Sequence, residues 1–331
     1  GTHTARVTRL TGEKAGNYKL PENPTYTYTV AKAKQTLEFK ASATEVTYDE
    51  NIIIDNKLKE TSNYSTTVIY DSSNPKVVTV DNDGSSHVVG VGTATITATA
   101  VETENYERAQ ATWTVTVTPK PVTISGIKVE NKTYNGTTAA SIDLSNAKID
   151  GGVSYTLQID ATNAKAVFKD ANAGTDKTVI FTGFALTGAD AGNYELSEQP
   201  DNVKADIARA TITVTPEADQ AKTYRENDPA SLAYIASGAI SGETPSFTGA
   251  LGREAGENVG SYAIGKGTLA LTDNRDGNFR ADNYMLKVSD NVNFVINKAT
   301  PVITVEEKTL VKNGIAVDIS TWASFDNTDA N

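Results

Sequence analysis

The chain has 331 residues, of which 38% are apolar and 21% are charged, and its formal net charge at pH 7 is −11. An acidic chain without a cluster of lysine or arginine lacks the basic footprint of nucleic-acid binding, and its charge disfavours docking on anionic membranes. There is no cysteine, which excludes disulfides, thiolate metal sites and cysteine nucleophiles. No apolar run approaches the roughly 20 residues of a membrane-spanning helix. We therefore expect no nucleic-acid partner and no membrane insertion within this segment.

An Asn-Tyr pair recurs along the chain at a near-constant spacing. Successive tyrosines are 88, 88 and 90 residues apart, and they are Tyr18, Tyr106, Tyr194 and Tyr284. A motif that returns at a fixed period indicates an array of similar structural units. The spacing predicts a tail of a preceding repeat at 1–31, complete repeats at 32–118, 119–208 and 209–298, and the start of a further repeat at 299–331.

The first segment resembles the end of a later one. Residues 11–20 match residues 187–196 at seven of ten positions. Tyr26, Tyr28 and Val30 then alternate with threonines, which predicts a strand with one apolar face.

The repeat at 32–118 has the pattern of paired strands. Apolar residues at 77–80 and 88–100 flank the turn residues Asp81-Asn82-Asp83-Gly84, which predicts a hairpin. Trp113, Val115 and Val117 alternate with threonines in the closing strand. On residues 72–81 and 89–96, this repeat resembles a bacterial Ig-like domain of group 2.

The repeat at 119–208 resembles the YDG family of bacterial surface repeats. The Tyr-Asp-Gly-Thr-Thr motif of that family is matched by Tyr134-Asn135-Gly136-Thr137-Thr138, with Asn in place of Asp. Residues 168–177 and 186–194 fit the remainder of the pattern. The change from Asp to Asn suits a turn equally well, because both residues adopt turn conformations.

The repeat at 209–298 is similar to the MBG family of bacterial Ig-like repeats. The matching residues occur in the order of that family and are Lys222-Thr223-Tyr224, Asp228-Pro229, Val259-Gly260-Ser261-Tyr262 and Asp282-Asn283-Tyr284. In the last segment, residues 302–305 and 317–320 are predicted to be strands.

The chain as a whole is predicted to be all-β, with tandem Ig-like β-sandwich domains in an elongated array. No stretch sustains an apolar i, i+3, i+4, i+7 pattern over three turns, so little helix is expected. Short joints such as Thr118–Pro121 leave little room for swivelling and favour a semi-rigid rod.

Catalytic chemistry has few candidates in this sequence. The only histidines are His3 and His87, and His87 follows a predicted turn without a recognisable Ser/His/Asp arrangement. Carboxylate pairs are numerous, but short-looped sandwiches offer no obvious cleft for acid–base chemistry. A covalent Lys–Asn or Lys–Asp cross-link stays open, because the residue types are present without an identifying motif. We expect no catalytic residues and no enzymatic activity.

Calcium is the one cofactor that the sequence leaves open. Asp273 and Asp276 stand in a segment like the beginning of an EF-hand loop, and Asp81 and Asp83 lie in a predicted hairpin turn. Aspartate is also common in turns that bind no metal, so a solvated turn is the competing interpretation.

The Asn-Tyr pairs are interpreted as structural residues. A tyrosine at the start of a late strand can bury its ring and bond its hydroxyl to nearby backbone, as in the corner of Ig-like sandwiches. The neighbouring asparagine can bond the backbone of the turn. The residues assigned this role are Tyr18, Tyr106, Asn193, Tyr194, Asn283 and Tyr284.

These features predict a non-enzymatic segment of a bacterial cell-surface or secreted protein, acting as a stalk of Ig-like repeats or as part of an adhesin. We expect a monomer outside the cell whose surface ligand is a glycan or a host protein. The alternative is a carbohydrate- or protein-binding module that uses exposed aromatic residues of one repeat. The candidates for that role are Tyr64, Tyr70, Tyr155 and Tyr262.

Overall fold

The computed structural model describes residues 1–154, 156–305 and 323–325. These residues form strands and three single-turn 3₁₀ helices, and no α-helix occurs among them, which confirms the all-β prediction. The chain divides into two compact units, which are described separately. Unit one contains Gly1–Lys128, Asp143–Lys165 and Phe181–Asp201, and unit two contains Val129–Ile142, Ala166–Ile180 and Asn202–Asn331.

The strands follow one another closely along the chain. The strands of residues 1–118 are β1 (Thr2–Arg6), β2 (Thr25–Thr29), β3 (Ala43–Thr47), β4 (Ile53–Ile54), β5 (Val68–Ser72), β6 (Val78–Val80), β7 (Ser86–Val88), β8 (Gly92–Ala100) and β9 (Ala109–Thr118). Those of residues 119–208 are β10 (Lys120–Ser125), β11 (Lys128–Val129), β12 (Lys132–Thr133), β13 (Ala139–Ala140), β14 (Ile142–Asp143), β15 (Lys148–Asp150), β16 (Gln158–Asp160), β17 (Lys165–Phe168), β18 (Gly174–Thr182), β19 (Ala185–Thr187), β20 (Tyr194–Leu196) and β21 (Val203–Ala208). Those of residues 209–325 are β22 (Ala210–Pro216), β23 (Ala221–Thr223), β24 (Tyr234–Ser237), β25 (Ser246–Thr248), β26 (Gly252–Arg253), β27 (Gly260–Gly265), β28 (Ala270–Thr272), β29 (Tyr284–Val288), β30 (Asn293–Asn297), β31 (Ile303–Val305) and β32 (Ala323–Phe325).

Unit one contains two larger sheets from residues 32–118. Their strand orders are β3-β9-β8-β5 and β4-β7-β6. Residues 119–201 of this unit add the sheets β15-β10-β20 and β16-β19, and β1 pairs with β2. The core is formed by the alternating apolar faces of β8 and β9, with Ile96, Trp113 and Val115 fully buried. The Trp113 indole N–H donates to Thr44 Oγ1 at 2.9 Å, which satisfies its polar edge.

Unit two also consists of several small sheets. Its sheets have the orders β12-β21-β18-β17-β13, β24-β22-β29 and β23-β30-β27-β26, together with the pairs β25-β28 and β31-β32. A hydrophobic core in residues 209–298 contains Val214, Ile264, Leu269, Phe294 and Ile296. The predicted strand at 302–305 is present as β31, whereas residues 317–320 lie outside the described residues.

The Asn-Tyr pairs occupy one position in the topology. The strand that begins at the tyrosine runs parallel to the first strand of its repeat, and an isolated bridge takes its place in the first repeat. The paired residues are Tyr194 with Lys120, Tyr284 with Ala210, and Tyr106 with Ala33. The spacing read from the sequence therefore corresponds to a repeated position in the structure.

A second set of tyrosines is equally regular. Tyr48, Tyr134 and Tyr224 each follow a strand that pairs in parallel with the last strand of the repeat, namely β3 with β9, β12 with β21 and β23 with β30. The backbone N–H of each tyrosine donates to that last strand at 2.8 Å, with Thr118, Ala208 and Asn297 as the accepting carbonyls.

The hairpin predicted across residues 81–84 is present as β6 and β7, and the apolar run at 88–100 is divided between β7 and β8. β7 ends at Val88 and β8 begins at Gly92. A Cβ atom on Gly90 would lie 2.7 Å from the Lys76 carbonyl oxygen, so the backbone passes too closely there for any other residue. The interruption leaves the Val91 N–H outside the ladder.

Candidate functional site: the Asn-Tyr junctions

A 3₁₀ turn precedes three of the four Asn-Tyr tyrosines. The turns are Ala15–Asn17, Ala191–Asn193 and Ala281–Asn283, and each following tyrosine adopts an extended backbone with φ between −127° and −130°. The tyrosine N–H caps its turn by donating to the carbonyl three residues earlier. The turn and the extended residue that follows it place the asparagine and tyrosine side chains next to each other.

The first junction lies within unit one and consists of Tyr48, Val91, Asn193 and Tyr194. The Asn193 Oδ1 atom accepts a hydrogen bond from the Val91 N–H at 3.0 Å. The ring edge of Tyr48 meets the ring of Tyr194 with centroids 5.5 Å apart and an interplanar angle of 77°. The Tyr194 hydroxyl accepts from the Ser154 N–H at 3.1 Å. Two residues of the 32–118 repeat thus contact the Asn-Tyr pair of the 119–208 repeat.

The second junction lies within unit two and consists of Tyr134, Ala173, Asn283 and Tyr284. The Asn283 Oδ1 atom accepts from the Ala173 N–H at 2.9 Å. The rings of Tyr134 and Tyr284 meet edge-on at 5.4 Å and 77°. The Tyr284 hydroxyl accepts from the Ile240 N–H at 3.1 Å. Every contact of the first junction has a counterpart here.

In both junctions the asparagine accepts a hydrogen bond from the same backbone position. Val91 directly precedes Gly92, the first residue of β8, and Ala173 directly precedes Gly174, the first residue of β18. Each asparagine therefore binds a backbone amide of the preceding repeat.

A carboxylate joins the two tyrosines of the second junction. Glu243 accepts from the Tyr134 hydroxyl through Oε1 at 2.6 Å and from the Tyr284 hydroxyl through Oε2 at 2.7 Å. Burial and this carboxylate raise the pKa of Tyr134 to about 12. Burial also raises the pKa of Tyr284. Both phenols are therefore held in their neutral, donating form across the ordinary pH range.

The first junction arranges its carboxylate differently. Asp190 Oδ2 accepts from the hydroxyls of Thr156 and Ser154, and these bonds lower the pKa of the Asp190 carboxyl. Burial raises the pKa of Tyr48, and the neighbouring Tyr194 phenol adds to that effect. The polar side chains around the tyrosines thus differ between the junctions, whereas in both the asparagine Oδ1 accepts from a backbone N–H at the same position.

The other two predicted tyrosines lack such contacts within the described part of the chain. Tyr18 is 71% exposed, and no aromatic ring packs against it. Tyr106 is half-buried, and its backbone N–H donates to Thr103 Oγ1 at 3.2 Å. The expectation of a buried ring is therefore wrong for Tyr18, because no residue equivalent to Tyr48 or Tyr134 is placed beside it.

The calcium candidates make contacts with the protein. Asp83 accepts from the backbone and hydroxyl of Ser85, and Asp273 accepts from the Ala281 N–H. Asp81 Oδ2 pairs with His87 Nε2 at 2.8 Å. Among the described residues, no group of three or more His, Cys, Asp or Glu side chains is placed to share a metal ion, and Asp276 joins none.

Lys132 and Lys222, which stand two residues before Tyr134 and Tyr224, form polar clusters that the sequence did not predict. Lys132 Nζ donates to four oxygen atoms of residues 135–139 at 2.6–3.2 Å. Lys222, whose side chain is only 5% exposed, pairs with Asp228 at 2.7 Å and with Glu257. The signal for both was the shared Lys-Thr-Tyr sequence at 132–134 and 222–224.

Charges within the Lys222 cluster reinforce one another. Arg253 makes a bidentate contact with Asp228 at 2.9 and 3.0 Å, and this contact is the main reason that the pKa of the Asp228 carboxyl is lowered. Asp228 in turn raises the pKa of Lys222. An ionised lysine is no nucleophile, so this cluster favours ion pairing over a covalent Lys–Asp cross-link.

The tyrosines proposed for ligand binding do not share one environment. Tyr64 is 44% exposed, while Tyr70 is half-buried and packs close to Gly84. The Tyr262 hydroxyl donates to the Asn258 carbonyl at 2.7 Å, and Arg253 stacks over its ring. Tyr155 lies outside the described residues.

No helix among the described residues combines the length and apolar character needed to cross a lipid bilayer. Among curated proteins, no relative of the chain was found. Solved structures similar to this chain have low TM-scores. N-cadherin EC1–3 from Drosophila is 9% identical with a TM-score of 0.27, and the match covers 78% of this chain and 98% of that one. A SusE-like surface-located polysaccharide-binding protein from Bacteroides thetaiotaomicron is 15% identical with a TM-score of 0.21, covering 56% and 37%. Domains 4 and 5 of the S-layer protein SbsC are 12% identical with a TM-score of 0.17, covering 63% and 98%.

Three family profiles match successive parts of the chain. They are the immunoglobulin-like domain of intimin at residues 55–102, the YDG domain at 118–202 and the MBG domain of YGX type at 212–292. The predicted Ig-like, YDG and MBG resemblances are confirmed, and the profile that matches the first repeat is that of intimin. None of the three is an enzyme family. Successive parts of the chain therefore match an Ig-like domain, a YDG domain and an MBG domain in tandem.

Proposed function

We propose that this chain is a non-enzymatic structural and adhesive segment of a bacterial cell-surface or secreted protein, in which the Ig-like repeats form a semi-rigid stalk. The observation that carries the proposal is the repeated junction. Two junctions use the same asparagine acceptor, the same edge-on tyrosine pair and the same backbone donor position. A contact set made twice between different repeats suits an element whose task is to fix one repeat on the next.

The energetics of the junctions support this role. A hydrogen bond with a partly buried backbone donor is worth about 1 kcal/mol, and an edge-on aromatic pair adds about 0.5–1.5 kcal/mol beyond its buried area. Together these contacts restrain the direction of the joint far more than a Gly/Ser linker of random-coil character would.

The stalk proposal is tested by distance measurements across a junction. The chain has no native cysteine, so spin labels can be attached at Ile69→Cys and Glu195→Cys, two exposed positions of unit one. We expect a narrow distance distribution that broadens in the Asn193→Ala variant. Asn146, an exposed asparagine outside the junctions, provides the control as Asn146→Ala. An equally broad distribution in all three proteins would refute the stalk.

The adhesive part of the proposal concerns the ligand, which we take to be a surface glycan or a host protein. A dedicated binding module would need Tyr64, Tyr70 and Tyr262 as a free aromatic platform. Two of these rings are instead engaged within the protein. Binding of the intact chain to a glycan array and to host matrix proteins is the direct measurement. Absence of binding in both would restrict the proposed role to that of a stalk.

A further inference from the structure

We propose that Asn135 is a self-modification site, at which the chain converts its own asparagine to aspartate through a cyclic imide with the backbone nitrogen of Gly136. The chemistry needs an electrophilic side-chain amide and an accessible backbone nitrogen after it. The Tyr134–Thr138 loop of unit two supplies both. The inference rests on this loop alone and does not depend on the proposed stalk.

The side-chain carbonyl of Asn135 is polarised by three donors. Its Oδ1 atom accepts from Lys132 Nζ at 2.9 Å, from the Thr137 N–H at 3.1 Å and from Thr137 Oγ1 at 2.9 Å. One of these donors is a cation. When the carbonyl carbon is attacked, negative charge develops on that oxygen, and donors already at 2.7–3.1 Å stabilise it without rearrangement.

The attacking nitrogen belongs to a glycine in an open setting. Gly136 is exposed and has φ +74°, and the only atom near its Cβ direction is an Ile240 methyl carbon at 3.4 Å. Within the described part of the chain, no acceptor takes its backbone N–H. The nucleophile is therefore neither shielded by a side chain nor held in a ladder, unlike the amides of Tyr134 and Thr137 on either side.

The reaction balances without a co-reactant other than water. The Gly136 nitrogen bonds to the Asn135 side-chain carbonyl carbon, the bond from that carbon to the amide nitrogen breaks, and the proton of the Gly136 amide leaves with ammonia. Water then opens the five-membered imide at one of its two carbonyls. Opening at the backbone carbonyl gives isoaspartate, and opening at the side-chain carbonyl gives aspartate.

Lys132 acts here as a charged donor and not as the nucleophile. Its ammonium donates to Asn135 Oδ1, Thr137 O, Thr137 Oγ1 and Ala139 O. Burial lowers the pKa of the Lys132 ammonium, but its contacts with four oxygen acceptors engage it as a hydrogen-bond donor. In its protonated form it has no lone pair with which to attack an amide. This arrangement separates the proposed reaction from a Lys–Asn cross-link.

The first repeat carries an aspartate at the corresponding position. Asp49 follows Tyr48 just as Asn135 follows Tyr134, and Asp49 Oδ1 accepts from the N–H two residues on, that of Asn51, at 3.0 Å. Lys120 Nζ lies 3.5 Å from the same carboxylate. An aspartate at 135 would keep the turn bond to Thr137 and convert the Lys132 contact into an ion pair.

The test is a time course of the purified full chain in mildly alkaline buffer, followed by peptide mass spectrometry. We expect the mass change of amide-to-acid conversion at Asn135, faster in the folded chain than in urea. Lys132→Gln should slow the folded chain about tenfold, which is the loss of one charge-assisted donor to the developing oxyanion. The chain has a second Asn-Gly, Asn313-Gly314, whose conversion in urea checks that the buffer supports the chemistry.

Two further variants keep the test independent of folding defects. Thr137→Val removes one exposed donor hydroxyl and should slow conversion a few-fold, and Asn135→Asp should be at least as resistant to urea as the parent chain. Conversion at equal rates in the parent, Lys132→Gln and Thr137→Val proteins would overturn the proposal. So would conversion in urea alone, or a peptide that has lost ammonia and links Lys132 to Asn135.

Discussion

The Asn283→Ala substitution removes the side-chain amide that bonds the backbone in the second junction. Asn283 is 2% exposed, and it accepts from the Ala173 N–H at 2.9 Å while its Nδ2 donates to Asn172 Oδ1 at 3.2 Å. In Asn283→Ala the Ala173 donor loses its partner in a partly buried site. Leaving such a donor unsatisfied costs about 1–3 kcal/mol. We expect a local loss of about 2 kcal/mol.

Amide hydrogen exchange measures this loss where it occurs. A cost of about 2 kcal/mol corresponds to roughly thirtyfold faster exchange of the Ala173 amide. The equivalent change in the first junction, Asn193→Ala, affects a less buried asparagine and should accelerate the Val91 amide by about tenfold or less. Each variant should leave the amide of the other junction unchanged, because distant sites behave additively.

One result would refute this reasoning. If the Ala173 amide exchanges in Asn283→Ala as it does in the parent chain and in the exposed control Asn146→Ala, the hydrogen bond does not hold the junction. A uniform acceleration at every amide of unit two would instead indicate general destabilisation, and the assignment of a local contact would be wrong.

Three further outcomes are expected. Ser86→Ala should raise the urea midpoint by the equivalent of about 1 kcal/mol, since the Ser86 hydroxyl is buried without a hydrogen-bond partner among the described residues; a lower midpoint would contradict this. The carboxyl of Asp228 has a lowered pKa in the folded state, chiefly through Arg253, so its contribution is present above the unfolded pKa near 3.8 and is lost as the pH falls through the folded value. Asp228→Asn should therefore flatten the acid limb of stability measured against pH. Tyr134 has a pKa raised to about 12, so its contribution is present below pH 10 and is lost between pH 10 and 12; phenolate absorbance should show this late titration, and Tyr134→Phe should reduce its amplitude without removing it, since the pKa of Tyr284 is raised as well.

The regular features of the fold could be predicted from the sequence. Strict alternation in residues such as 112–118 identifies strands, and the Asn-Tyr spacing corresponds to one repeated position beside the first strand of each repeat. These features are local, since each depends on neighbouring side chains and on the two-residue period of a strand.

The contacts of the junctions could not be predicted in the same way. The partner of Asn193 is the backbone N–H of Val91, 102 residues away, and that of Asn283 is the N–H of Ala173, 110 residues away. Every residue except proline has a backbone N–H, so the sequence alone does not show which one serves as the donor. Only the glycine that follows each donor, Gly92 or Gly174, marks the position where a long strand begins.

The carboxylate of the second junction illustrates a different difficulty. Glu243 bridges two phenols that are 109 and 41 residues distant from it, and the sequence contains many glutamates in turn-rich segments. The charged cluster of Lys222 was marked by a Lys-Thr-Tyr sequence that also occurs at 132–134, yet the partners of the two lysines are of different kinds. A repeated residue type therefore indicated a repeated position but not its chemistry.

The use of a backbone amide at each junction has a consequence for how such chains can change over generations. An asparagine that accepts from a main-chain N–H does not depend on the side chain of the donor residue. The two donor residues, Val91 and Ala173, indeed differ. A repeat that supplies one tyrosine and one free amide can therefore follow or precede many others. Repeats of different sequence can therefore replace one another at a junction as long as this amide keeps its position.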